Sequence, residues 1–154
     1  MARHAGGGGD RMEACSPRNS GDRAHEKDRD KDAVGRRGED LAAAYLGDIG
    51  WHVLERNWRP GQGLRGELDI VALEARDTGP GTLVIVEVKT RSSLRLGPPS
   101  AGIDARKLAR LRALAGAWTT TREVRHGGLR IDVISILLRS GAPALLRHHR
   151  GVGL

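Results

Sequence analysis

Apolar positions along this chain follow two rhythms, one of three to four residues and one of two. From Val34 to Ile49, Leu41, Tyr45, Leu46 and Ile49 recur near helical spacing, padded by Ala42 to Ala44. Gly50 follows as a helix stop. Trp51 to Trp58 alternates, with Trp51 and Val53 on one face, and reads as a strand ended by Arg59-Pro60-Gly61-Gln62-Gly63. A second strand runs from Glu67 to Leu73, and Asp77 to Gly81 is a turn cluster. Thr82 to Arg91 is a third strand, followed by a Gly/Pro/Ser loop from Ser92 to Gly102. Asp104 to Thr121 reads as a second helix with Asp104 as N-cap and Leu108, Leu111, Ala115 and Trp118 as its apolar stripe. Leu129 to Leu138 is a strong strand, and Ala144 to Arg147 a short edge strand. The order α-β-β-β-α-β, with a last strand, predicts an α/β domain in which helices flank a central mixed sheet.

The third strand carries an anomaly. Val84, Val86 and Val88 point to one face, and Leu83, Ile85, Glu87 and Lys89 to the other. Apolar residues on both faces mark a central strand covered on both sides. Glu87 and Lys89 therefore stand on a face that Leu83 and Ile85 commit to the interior. Burying such charges costs several kcal/mol unless they are paired.

Composition narrows the function classes. Residues 1–33 hold seven basic and seven acidic residues without an apolar stripe, and read as a disordered tail. A single solvated helix near 25–34 is the most structure this segment supports. Residues 34–154 form the domain and carry the whole net charge of +7. A compact basic domain points to a polyanion, nucleic acid first, although Arg-rich composition also serves solubility. Of 26 basic residues, only four are Lys, and the domain holds just Lys89 and Lys107. In a chain this rich in Arg, lysine at 89 suggests a need for a compact amine. Cys15, the single cysteine, excludes an internal disulfide and a Cys-based zinc site. No apolar run reaches membrane-spanning length and no signal-peptide core is visible, so the expectation is a soluble, cytoplasmic protein without a membrane partner.

Hairpin geometry gives the anomaly a partner. Position 78 lies midway between 69 and 87, inside the turn cluster. An antiparallel hairpin pivoting there sets Asp69 opposite Glu87, with Cβ atoms roughly 5 Å apart. Glu67 shares a strand face with Asp69, so Glu67, Asp69, Glu87 and Lys89 converge if that register holds. Converging carboxylates raise one another's pKa or bind a cation. An all-oxygen set suits Mg²⁺ or Mn²⁺. The six histidines show no zinc spacing. A lysine beside a carboxylate-held Mg²⁺ is equipment for phosphodiester hydrolysis. The plainer alternative is a cross-strand salt bridge of Lys89 with Glu87 or Asp69. Glu39 on the first helix has a plain alternative too, a carboxylate near a helix start.

These residues carry a family resemblance. Asp69 followed by Glu87-Val88-Lys89 resembles the PD-(D/E)xK signature of restriction-endonuclease-like nucleases, whose core is αβββαβ. More narrowly, Gly38-Glu39, Arg56-Asn57-Trp58, Gly66 to Val71, Val86 to Arg91, Lys107 and Arg130-Ile131-Asp132 resemble the bacterial YraN family. That family is grouped with archaeal Holliday-junction resolvases. The resemblance runs from about Val34 to the C-terminus. It implies a restriction-endonuclease-like fold with Asp69 and Glu87 as metal ligands and Lys89 as the catalytic lysine. It also implies Glu39 as a further ligand and Glu67 as a supporting residue around the metal. One departure is Leu68, where the signature has proline. The implied partner is DNA, branched or junction DNA by analogy, and resolvases act as homodimers.

Arg91 and Arg95 follow the third strand, and Arg106, Lys107 and Arg110 lie on the next helix. These are the candidate phosphate contacts; solvated surface charge is the alternative for each. Trp51, Trp58 and Trp118 fit apolar patterns and read as core. Arg130 and Asp132 share a strand face and pair with each other in the simplest reading. Two alternatives to a nuclease stay open: a non-catalytic nucleic-acid-binding module, and an interaction protein whose charges only pair.

Overall fold

The computed structural model describes residues 20–61, 63–93 and 102–153. The elements are α1 (Ser20–Asp48), β1 (His52–Trp58), β2 (Leu68–Glu74), β3 (Thr82–Arg91), α2 (Ala105–Thr120), β4 (Gly128–Arg139) and β5 (Ala142–His149). The strands form one mixed sheet in sequence order. Neighbours run antiparallel except β3 and β4, which are parallel and joined through α2. This is the expected αβββαβ core with helices on both faces, and the last strand is longer than its apolar residues indicate.

Each helix covers one face. Ala42 and Leu46 of α1 meet Ile70, Ala72, Val84, Val86, Ile134 and Ile136. Leu111, Leu114, Ala115 and Trp118 of α2 meet Leu68, Val71, Leu83, Ile85 and Ile131 on the other face. β3 alternates between the two clusters as its sequence requires. Trp51 and Trp118 are buried, and Trp58 packs partly buried against the α2 side.

Two boundaries differ from the sequence reading. α1 starts at Ser20, well before Val34, so residues 20–33 are helical where the sequence reading has a disordered tail with at most a solvated helix near 25–34. Residues 27–33 are exposed, which is why no apolar stripe announces that stretch. The same helix ends at Asp48, leaving Ile49 exposed beyond it. Gly50 takes φ +83°, and Trp51 N–H returns to the Leu46 carbonyl at 2.9 Å, closing the helix end.

β1 and β2 share an irregularity that shapes the site. Asn57 adopts φ +52°, a left-handed conformation that Asn tolerates better than most residues. The β1–β2 register shifts between Val53 and Glu55, so that Val53 belongs to the α1 side while Glu55, two residues on, reaches Trp118 of α2; Trp58 packs on the α2 side with Leu68, its partner in the ladder. In β2, Leu68 faces α2 and Ile70 faces α1, so side-chain alternation breaks at Asp69.

Candidate metal and nucleic-acid site

A cleft of about 630 Å³ opens where β2 begins, beside the start of α2. Its lining includes Glu39, Arg59, Glu67, Asp69, Glu87, Lys107 and Arg110. Three elements bring its acids together.

The β2–β3 hairpin supplies two of them. Its ladder pairs Ile70 with Val86 and Val71 with Ile85, the register that pivots at position 78. The next step along that register is Asp69 with Glu87. There the backbone ladder stops, and Asp69 Oδ2 accepts the Val88 N–H at 2.8 Å instead. Burial is the largest influence on Asp69, and the nearby Glu87 charge adds to it. The Val88 N–H opposes them, Glu39 adds a further push upward, and Lys107 a small one downward. The net result lifts the Asp69 carboxyl to about 7.

Helix α1 supplies the third. Gly38 is buried against Thr90 of β3, and an ideal Cβ at Gly38 would lie 1.8 Å from Thr90 Oγ1. Glycine is what lets α1 approach the sheet here and bring Glu39 to the cleft. Because α1 begins at Ser20, Glu39 sits mid-helix. The helix-dipole explanation for its charge therefore has no ground.

Glu87 is only 8% exposed. Its Oε1 takes a 2.7 Å ion pair with Lys107 Nζ, and its Oε2 is buried with no hydrogen-bond partner among the described residues. Lys107 lies in the first turn of α2, where its backbone N–H donates to the Asp104 cap at 2.7 Å. Sequence reasoning placed Lys107 among the phosphate contacts. Its partner in the structure is the buried Glu87.

Lys89 departs from expectation in the other direction. Its side chain donates to the Gly102 carbonyl just before α2. It stands on the α2 side of β3 with Glu87, but the carboxylate is met by Lys107. Glu67 lies just before β2 on the cleft rim, where Arg59 pairs with it at 2.6 Å. The rim pair was not visible in the sequence, because Pro60 and Gly61 read as a break rather than as a fold-back.

Arg110 lines the cleft, Arg106 is exposed on the same helix, and Arg91 ends β3 beside a neighbouring hollow with Thr90 and Ser92. Arg95 lies outside the described residues, as does Cys15.

As the side chains stand, no three Asp, Glu, His or Cys among the described residues are gathered to hold a metal ion. Asp69 and Glu87 nonetheless fit one as a pair. Mg²⁺ is commonly held by one or two carboxylates with water and substrate phosphate completing its shell. Glu87 keeps one buried carboxylate oxygen without a hydrogen-bond partner among the described residues, beside an acid lifted to about 7, and both are oxygen donors of the kind Mg²⁺ takes.

The sequence profile described as "Uncharacterised protein family UPF0102" matches residues 38–136. The chain belongs to this family. It is the YraN family that the motifs resemble. A UPF0102 protein of Arthrobacter sp. (strain FB24) is 46% identical over 125 residues, covering 81% of this chain and 99% of that one. A UPF0102 protein of Beutenbergia cavernae is 45% identical over 125 residues, with the same shares. One from Mycobacterium sp. (strain KMS) is 41% identical over 120 residues, or 78% of this chain and 84% of that one. The UPF0102 match begins at Gly38 and so takes in every cleft acid, Lys89 and Lys107.

A second polar cluster sits on the α1 side of the sheet. Asp132 is fully buried and paired in the ladder with Val86. It meets Arg130 at 2.8 Å, His148 Nε2 at 2.9 Å and the Gly151 N–H at 2.9 Å. Burial is the largest influence and pushes this carboxyl up, but these hydrogen bonds together outweigh it and bring it to about 2. Arg130 also holds Glu74 at 2.6 Å. The Arg130–Asp132 pair was legible at i,i+2. His148 was not, because its arrival depends on the register of β5.

Among the described residues, no helix is long and apolar enough to cross a membrane.

Proposed function

We propose that this protein is a metal-dependent nuclease-like enzyme that hydrolyses phosphodiester bonds in DNA, with branched or junction DNA as the favoured shape. The observation that carries this reading is the buried Asp69–Glu87 pair with its unpartnered Oε2, set in a cleft rimmed by Arg59, Lys107 and Arg110. A bound Mg²⁺ or Mn²⁺ supplies a Lewis acid for the phosphate oxygen and a more acidic water. Asp69 and Glu87 would hold the ion, and Glu39 lines the same cleft. The Val88 N–H fixes one Asp69 oxygen and so orients the other. Lys89 lies one rung beyond Val88 and serves the developing phosphorane charge once nucleic acid is seated. Arg106, Arg110 and Arg91 grip flanking phosphates. Cutting two strands of a junction takes two such sites, so a homodimer in the cytoplasm is part of this reading.

The test is Mn²⁺- and Mg²⁺-dependent cleavage of duplex, flapped and four-way DNA. Wild type should cut at least one substrate, and Asp69→Asn and Lys89→Ala should lose more than about 100-fold of that activity. Equal cutting by wild type and Lys89→Ala would rule out the mechanism.

A second reading is a non-catalytic nucleic-acid-binding protein on the same fold. The Lys107–Glu87 ion pair favours it, because a protein cation already neutralises the buried acid. That reading expects salt-dependent DNA binding without turnover and without a requirement for divalent ions.

A further inference from the structure

Lys107 and a divalent ion would want the same carboxylate. The ammonium lies 2.7 Å from Glu87 Oε1, while Oε2 of that group is buried without a partner. Asp69 is close enough to feel both charges. A divalent ion shared by Asp69 and Glu87 would stand within a few Å of Lys107, and like charges at that separation in a partly buried site repel strongly. The lysine side chain is about one-third exposed and has room to leave. It is also a cation at the positive end of a helix, an unfavourable place unless an anion repays it.

We propose that Lys107 is a displaceable counter-ion. It neutralises Glu87 while the site carries no divalent cation, and it is released into the cleft when the cation binds. The freed ammonium then faces the position of an incoming phosphate, alongside Arg110. Cation loading and polyanion binding become coupled, each strengthening the other by the same factor. This rests on the metal-dependent reading above and adds a regulatory step to it. No bond is made or broken; one ion pair exchanges for another.

The experiment is calorimetric titration of the full chain with Mn²⁺, comparing wild type, Lys107→Met, Lys107→Gln and Lys107→Arg. Thermal melts first establish that each variant is folded. Lys107→Gln keeps a hydrogen-bond donor for Oε1 and stands in if Lys107→Met does not fold. The neutral variants are expected to bind Mn²⁺ about tenfold more tightly, because the ion no longer has to displace a like charge from Glu87. Lys107→Arg keeps the competing charge and should match wild type. Equal affinity in wild type and the neutral variants would overturn the counter-ion role and leave the metal site standing. Weaker binding by the neutral variants would also overturn it, since Lys107 would then be supporting the ion. No Mn²⁺ binding by any variant overturns both readings together.

A second measurement follows the released charge. With Ca²⁺ as a non-catalytic ion, the salt slope of log K for duplex DNA should steepen by about one more in wild type than in Lys107→Gln. An equal response in both proteins would overturn the release step.

Discussion

Thr90 leaves no space for a side chain at Gly38: an ideal Cβ there falls 1.8 Å from Thr90 Oγ1 and 2.7 Å from its Cβ. The contact sets how closely α1 approaches β3. Gly38→Ala should therefore destabilise the fold by about 1–3 kcal/mol, the usual range for overpacking. Helix propensity alone predicts the opposite sign, since Ala is better than Gly by about 1 kcal/mol. Gly35→Ala is the control. Nothing lies within 4 Å of a Cβ at Gly35, so there the propensity gain should appear. Urea melts of the two variants decide the matter, and equal stabilisation by both would show that the helix does not rest on Thr90.

Asp69 makes stability fall as pH rises. Its folded carboxyl lies at about 7, above its unfolded value, so the native state binds the extra proton. Its contribution is fully present below the unfolded pKa and is lost as pH climbs through about 7. In EDTA, wild type should lose stability between about pH 4 and pH 7 relative to Asp69→Asn. Asparagine keeps an acceptor for the Val88 N–H and carries no charge. A Tm difference between the two that does not change across this range would contradict the assignment.

Asp132 has the opposite sign. Its folded carboxyl is brought down to about 2, so its contribution is present above its unfolded pKa and is lost as pH falls toward 2. The shift corresponds to about 2 kcal/mol. Asp132→Asn should cost about 3 kcal/mol at pH 7, because Arg130 and His148 lose a buried partner. It should also flatten the acid limb between pH 4 and pH 2. Chemical denaturation at a series of pH values measures both effects.

Arg110 lines the cleft without standing among its acids, which makes it a clean probe of nucleic-acid contact. If the cleft receives DNA, Arg110→Ala should weaken binding of every sequence to a similar degree. It should also lower the salt slope by about one. Fluorescence anisotropy across a salt series gives the slope, and an unchanged slope would place the DNA elsewhere.

Much of the site could be reached from local rules. The β2–β3 register follows from the turn cluster around position 78, and the burial of Glu87 follows from Leu83 and Ile85 on its face. Helix α2 and its Asp104 cap follow from spacing and chemistry within a few residues. What escaped depends on distance along the chain. Lys107 meets Glu87 across a crossover connection, and no local signal says which of two lysines arrives. Glu67 turned to Arg59 because the intervening segment folds back at its ends. The early start of α1 was hidden for another reason. Residues 27–33 are exposed, and the sequence there lacks the apolar stripe by which a helix is read.

The surroundings of Trp51 give this protein an optical handle on its own edge. Arg130 and Arg150 each place a guanidinium carbon 5.5 Å from the Trp51 ring, and the His148 ring centre lies 5.3 Å away. Both His148 and Arg150 arrive with the end of β5. Trp118 lies on the buried side of α2 over the far face of the sheet, bonded to Glu55, and shares none of these neighbours. Peeling β5 from the sheet therefore alters the emission of Trp51 and leaves Trp58 and Trp118, both on the α2 side, as internal references. Local opening of the C-terminal strand can thus be followed by intrinsic fluorescence apart from global unfolding.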